Sequence, residues 1–156
     1  MRHALLKHLL PAALLMLSPG MAAAQSLADT LSQASGELRV SALQRADALR
    51  VGPTAPAVEL TPTDGFVVQA EDFSLQALQL SRSIEAANGP ADLRCIFRGM
   101  SADAGAQLDT LFNAQTRADQ ARVYLAMASL FEDAERIAAD PEAGVEAPAS
   151  CPASEL

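Results

Sequence analysis

Apolar residues recur every three or four positions along the first third of the chain, a spacing typical of a helix with one buried face. Ser26 is a suitable N-cap, and the repeat continues to Arg50 before Gly52-Pro53 ends it. Gly36 interrupts the middle, so two shorter helices are the alternative to one long helix. The apolar positions are Leu27, Leu31, Ala34, Leu38, Ala42, Ala46 and Leu49.

The pattern changes between residues 57 and 70. Two short apolar runs, Val58-Glu59-Leu60 and Phe66-Val67-Val68, flank the turn-forming residues of 61–65. This arrangement predicts a small β-hairpin that packs on the helices.

A second helical repeat begins after Asp72, which is predicted to be its N-cap, and Asn88-Gly89-Pro90 ends it. Its face is formed by Phe73, Ala77, Leu80 and Ile84. A short helix is then predicted from Pro90 to Gly99. Residues 78–98 also alternate between apolar and polar side chains. A second hairpin over this range, with its turn at Asn88-Gly89, is therefore the α+β alternative.

The last two predicted helices are the clearest. Ser101 is a predicted N-cap for a helix that carries Leu108, Leu111 and Phe112. Thr116 with Asp119 three residues later resembles a capping box, and the apolar repeat that follows ends at Asp140-Pro141. The predicted fold class is therefore mostly α, a small helical bundle with a possible β-hairpin near 57–70.

The first 24 residues have the charge order of a secretory signal peptide. Arg2 and Lys7 precede an apolar stretch over 9–17, and the small residues of 22–24 predict cleavage after Ala24. An uncleaved membrane anchor is the alternative, but a bilayer core needs about 20 apolar residues. We therefore predict a leader at 1–24, one helical domain at 25–140, and an acidic tail rich in proline and alanine at 141–156. The predicted compartment is periplasmic or secreted, with no stable membrane insertion after cleavage.

Cleavage at this point would change the chemistry of the chain. His3, Lys7 and His8 are its only histidines and lysine, so the processed protein would contain neither an imidazole nor an amine side chain. Removing Arg2 and Lys7 leaves nine arginines against 19 acidic residues, a net charge of −10. Serine and cysteine nucleophiles would lack their usual base, and an acidic surface disfavours nucleic acid. No cofactor or metal motif is present, and we predict neither.

The two cysteines, Cys95 and Cys151, both lie beyond the predicted leader. In an oxidising compartment they are expected to form a disulfide that ties the tail to the domain. The alternative of a redox-active pair lacks the short C-x-x-C spacing and the basic neighbours that stabilise a thiolate.

Two groups of charged residues are candidate sites. Arg94 and Arg98 lie four positions apart and would form a cationic edge on a helix, suited to an anion or a partner protein. Pairing with a nearby acidic residue is the structural alternative. Glu71 and Asp72 are the obvious carboxylate pair for an acid-only hydrolase, although capping by Asp72 also explains its presence.

These observations together predict a non-enzymatic binding or accessory protein of the bacterial envelope. Its expected mode of action is protein–protein contact with another envelope protein through the apolar, arginine-flanked surface around 91–131. Two alternatives remain: a carrier of a small apolar or anionic ligand, and a carboxylate-only hydrolase. A carrier pocket would be lined by residues that otherwise form the core, namely Phe97, Phe112, Phe131 and Met127.

Overall fold

The chain forms a bundle of four helices, as the sequence predicts. A computed structural model describes residues 19–140, with side chains from residue 23, and this part contains no strand. The helices are α1 (Pro19–Ala48), α2 (Gly65–Ala86), α3 (Ala91–Phe112) and α4 (Arg117–Ala139). The mostly helical fold class is thus confirmed. None of these four helices combines the length and hydrophobicity that crossing a bilayer requires.

Consecutive helices run antiparallel, and the first packs against the last to close a ring. Arg39 of α1 pairs with Glu135 of α4 at 3.1 Å, whereas Arg45, further along α1, lies beside Tyr124, which is earlier in α4. The same reversal relates α2 to α3, because Ser74 hydrogen-bonds to Ser101 and Ser81 to the carbonyl of Arg94. α1 packs more extensively on α4 than on α2.

Aromatic rings from α2 and α4 fill the centre of the bundle. The Phe66 ring lies edge-on to Tyr124 at 5.1 Å between centroids, and Phe131 lies edge-on to Phe73 at 4.9 Å. Both are favoured geometries for aromatic pairs. These rings are fully or almost fully buried, and they hold together two helices that face each other across the bundle.

The predicted hairpin near 57–70 does not form, because α2 begins at Gly65 and not at Asp72. The N-cap is Asp64, whose carboxylate accepts a hydrogen bond of 2.9 Å from the Phe66 amide. Phe66 and Val67 then lie on the same buried helical face as Phe73. Helical periodicity therefore extends about two turns further toward the N-terminus than the predicted start after Asp72. Asp72 lies exposed within the helix and is not a cap.

Two glycines that were expected to weaken or end helices lie inside continuous ones. Gly36 lies within α1, where it faces the side chain of Glu135, and Gly99 lies within α3. Ser101 is consequently an internal residue of α3 that bonds to α2 and not an N-cap. The second hairpin alternative over 78–98 is wrong, since this stretch contains the end of α2, a tight turn and the start of α3. Packing on neighbouring helices compensates for the low helix propensity of glycine.

Ser26 is not an N-cap, because it lies inside α1, which begins at Pro19. The stop signals after α2 and α4 and the start signal of α4 are confirmed. α2 ends at Ala86, one residue before Asn88-Gly89-Pro90, and α4 ends at Ala139. The capping box at the start of α4 is complete: Thr116 Oγ1 accepts from the Asp119 amide, and the Asp119 carboxylate accepts from the Thr116 amide.

The predicted cleavage site lies within α1. α1 includes residues 19–24 of the predicted leader, and cleavage after Ala24 would leave Gln25 to Ala48 of that helix. The tail at 141–156 lies outside the described residues.

The two ends of the bundle differ. At one end, which we call the closed end, the connection over 49–64 crosses the bundle and bonds to the start of α4. The Ala57 amide donates to the Gln115 carbonyl at 3.0 Å, and the Arg117 amide donates to the Ala55 carbonyl at 3.0 Å. The opposite end, where α1 and α3 begin and α2 and α4 finish, is here called the open end.

Candidate functional site

A cavity of about 430 Å³ lies at the open end of the bundle, between all four helices. This volume falls within the range of roughly 300–1,000 Å³ that is typical of small-molecule sites. Its walls are mainly apolar, and its charged groups are two aspartates. The lining comprises Ala24, Gln25, Ala28, Asp29, Leu80, Ile84, Ala87, Gly89, Pro90, Asp92, Leu93, Phe97, Ile137, Ala138 and Ala139.

The inner walls of the cavity belong to the hydrophobic core. Leu80, Phe97 and Ile137 are each at most 3% exposed and come from three different helices. Leu93 is only partly buried and packs against the core from the α3 side. A ligand entering the cavity would therefore contact apolar side chains that are already held in place by the bundle.

The turn between α2 and α3 shapes the rim. Asn88 adopts a positive φ of 53°, and the Gly89 amide then donates a hydrogen bond of 2.8 Å to the Ile84 carbonyl. A Cβ atom at Gly89 would lie 2.9 Å from Cγ2 of Ile84, closer than ordinary contacts allow. Glycine is thus needed here because the turn passes directly over a cavity wall.

The four residues proposed to line a carrier pocket are separated in the structure. Phe97 lines the cavity, whereas Phe131 and Met127 are fully buried in the core and Phe112 is 43% exposed. Sequence reasoning missed the cavity because its walls come from the ends of helices that are distant in sequence. The one local signal was the strong stop at Asn88-Gly89-Pro90, which forms part of the rim.

The structure brings Arg94 and Arg98 together, but around an acidic residue. Arg94 Nη1 lies 2.9 Å and Arg98 Nη2 lies 3.8 Å from the carboxylate of Glu85 on α2. The two arginine side chains remain 31% and 27% exposed. Two guanidinium groups thus share one carboxylate and keep an excess of one positive charge, and Arg94 Nε is buried without an acceptor.

Cys95 is 6% exposed and does not carry a free thiol. It lies two positions before Phe97, which on an α-helix is roughly 200° around the axis, and it is not a member of the main hydrophobic cluster. Cys151 lies outside the described residues, so the Cys95–Cys151 pairing stays a prediction.

Glu71 and Asp72 are exposed neighbours within α2. Successive residues on a helix point about 100° apart, so these two carboxylates do not face the same point. This arrangement gives the carboxylate-only hydrolase no support from the pair that the sequence suggested.

A cluster of polar groups ties the closed end together around Arg45. Its guanidinium bonds to the Asp64 carboxylate at 2.8 Å and lies 5.2 Å from the centre of the Phe66 ring. Burial alone would lower the pKa of Arg45, but bonds and charges from Tyr124 and Asp64 outweigh it and raise that pKa. Burial is also the main cause that raises the pKa of Tyr124 above its ordinary value. Since Asp64 caps α2, the cluster is structural.

A shallower depression of about 450 Å³ lies between the end of α3 and the start of α4. Asp119 and Arg122, which form an ion pair, are part of its lining. The Thr116 hydroxyl is the main cause that lowers the pKa of Asp119. Because Asp119 completes the capping box, its altered pKa reflects helix capping. The cavity at the open end is therefore the better candidate site.

Comparison of the chain with known protein families, with curated proteins and with solved structures finds no match.

Proposed function

We propose that this protein is an exported, non-catalytic binding protein that carries a small, mostly apolar ligand in the cavity at its open end. The observation that carries the proposal is the cavity itself: about 430 Å³ with apolar walls supplied by all four helices. An apolar cavity of about 150 Å³ is large enough for benzene. The present one is therefore suited to a ligand with an aliphatic chain of about ten carbons.

The sequence supports the non-catalytic part of the proposal. After the predicted cleavage the chain keeps neither histidine nor lysine, and the cavity is lined by apolar residues, two aspartates and one glutamine. Such a lining suits retention of a ligand by exclusion of water. Location in the periplasm or outside the cell is part of the same proposal, and it follows from the leader predicted at 1–24.

Calorimetric titration of the purified chain with decanol tests this function. We expect saturable binding and a thermal midpoint that rises with decanol concentration, as binding to the folded state requires. Ala28→Phe should abolish both effects, because Ala28 is a partly buried lining residue and the added ring would fill the cavity. Ala48→Phe is the matched control, since Ala48 is exposed at the closed end of α1. Equal decanol binding by wild type and Ala28→Phe would rule out the cavity as the site.

Contact with a partner through Arg94 and Arg98 is a second candidate function. It is favoured by the excess positive charge of the Arg94–Arg98–Glu85 group and by the buried Nε of Arg94 that lacks an acceptor. We propose that this group binds a carboxylate or phosphate, either free or on an envelope protein. Exposed ion pairs contribute about 0–1 kcal/mol to stability. Loss of the two arginines should therefore change the stability of the fold little.

Titration with inorganic phosphate tests the second candidate. In wild type we expect a shift of the Arg94 Nε–H resonance in nuclear magnetic resonance spectra. Arg94→Ala with Arg98→Ala should abolish phosphate binding, while the thermal midpoint stays nearly unchanged. A large fall in the midpoint, or no response of the wild-type resonance, would instead make the pair purely structural.

A further inference from the structure

The charged groups at the rim of the cavity all have the same sign. Asp29 on α1 and Asp92 at the start of α3 are exposed lining residues, and of the described residues that line the cavity none is basic. An apolar site with carboxylates only at its mouth matches a ligand that has an apolar body and a positive end.

Helix ends at the same rim add to this preference. α4 ends at Ala139, which lines the cavity with Ala138, and the last carbonyls of a helix carry partial negative charge and lack partners within the helix. The start of α3 would contribute the opposite sign. There, however, the Asp92 carboxylate accepts a hydrogen bond of 3.0 Å from the Leu93 amide, and its charge offsets that of the helix terminus.

Processing would change the rim charge without reversing it. Cleavage after Ala24 would place a new amino group on Gln25, which also lines the cavity. The formal side-chain charge of the rim is −2 in the full chain, from Asp29 and Asp92, and the new amino group would make it −1.

We propose that the ligand of this cavity is a cationic amphiphile: an aliphatic or aromatic body held among Leu80, Phe97 and Ile137, with a single amine group beside Asp29 and Asp92. This inference rests on the proposed binding function and specifies the ligand class. Anionic ligands of the same size are disfavoured, because their charged end would meet two carboxylates, of which the new amino group on Gln25 would offset only one after cleavage.

Three probes that share a ten-carbon chain separate the charge from the apolar body: decylamine, decanol and decanoate. Decylamine and decanoate are titrated into the full chain below their micelle concentrations, and decanol below its solubility limit. Attraction to two exposed carboxylates is modest, so decylamine should bind about fivefold more tightly than decanol. Decanoate should bind at least about fivefold more weakly than decanol. High salt should reduce these ratios.

Variants assign the preference to the rim. Asp29→Asn with Asp92→Asn should bind all three probes within about twofold of one another, and asparagine at 92 keeps a side-chain acceptor for the Leu93 amide. Asp72→Asn with Asp103→Asn removes the same charge from exposed positions outside the cavity lining and should keep the wild-type order. Ala28→Phe should bind none of the probes. Helical circular dichroism checks that each variant is folded.

The outcomes separate this inference from the proposed function. Saturable binding of decanol with equal or tighter binding of decanoate overturns the cationic preference and leaves the carrier intact. Persistence of the wild-type order in Asp29→Asn with Asp92→Asn also overturns it. If no probe binds to wild type, the carrier function itself is overturned. If decylamine binding survives Ala28→Phe, decylamine is attracted only to the surface, and both the carrier function and the cationic preference are refuted.

Discussion

Gln120 holds the connection over 49–64 against the bundle, and its removal gives the sharpest test of how the closed end is built. The side chain is 2% exposed and makes two hydrogen bonds to one backbone residue. The Val58 amide donates to its Oε1 at 2.8 Å, and its Nε2 donates to the Val58 carbonyl at 2.7 Å. Substitution by methionine keeps the length and volume of the side chain while removing both bonds.

The expected loss follows from these two contacts. A hydrogen bond of this kind contributes about 1 kcal/mol net, and an unsatisfied buried group costs more. Val58 itself is 48% exposed, so water can replace part of what its backbone loses. We therefore expect Gln120→Met to lower the free energy of unfolding by about 2 kcal/mol, which for a chain of this size lowers the thermal midpoint by roughly 6 °C.

Chemical denaturation and amide hydrogen exchange measure this loss globally and locally. The Val58 amide should exchange faster by more than the global destabilisation explains, while the Ala57 amide, bonded to the Gln115 carbonyl, should follow the global value. Gln115→Met is the control, because Gln115 is exposed and its side chain bonds only to the nearby Asn113 carbonyl. Wild-type stability together with unchanged exchange at Val58 would refute the role given to Gln120.

Three further predictions concern other parts of the fold. Tyr124 is the only tyrosine of a chain without tryptophan, so tyrosinate absorbance reports the pKa of this residue alone. We expect a pKa above the ordinary 10.0, because burial disfavours the charged form. The stability that the buried, neutral Tyr124 contributes should be present below pH 10.0 and be lost as the pH rises through the folded-state pKa. Gly89→Ala should cost about 1–3 kcal/mol, measured by denaturation, because the new methyl group would displace Ile84; no loss would mean that the turn relaxes freely. If Cys95 and Cys151 are bonded, Cys151→Ser should cost up to about 4 kcal/mol in the chain-entropy model, and detection of two free thiols in the native protein would contradict the pairing.

Local signals in the sequence specified the helices well where cap and repeat agree. Thr116 and Asp119 sit at capping positions immediately before an uninterrupted apolar repeat, and α4 forms as predicted. The start of α2 was missed because Phe66-Val67-Val68 is a β-type run beside a proline-containing turn. Burial of Phe66 against the α4 rings decided in favour of helix, and this tertiary contact is invisible in a local window.

Prediction of the candidate site depends on tertiary structure to a greater extent than prediction of the helices. Asp29, Asp92 and Ile137 come together only because the start of α3 and the end of α4 lie beside Asp29 of α1, an arrangement that helix lengths and crossing geometry determine. The sequence did place Arg94 and Arg98 on one edge, and it allowed for pairing with a local acidic residue. It did not identify Glu85 as that residue, because the register between α2 and α3 was unknown.

The packing of α1 on α4 has a consequence for how the chain is made. The first and last helices form the most extensive helix pair, so the ring closes only when the final helix is available. A polypeptide emerging from its amino end would hold α1 without this principal neighbour until synthesis is almost complete. Long-range contacts of this kind slow folding and postpone it to a late stage. Such a delay suits a chain that, by our prediction, must be threaded across a membrane before it acquires its final shape.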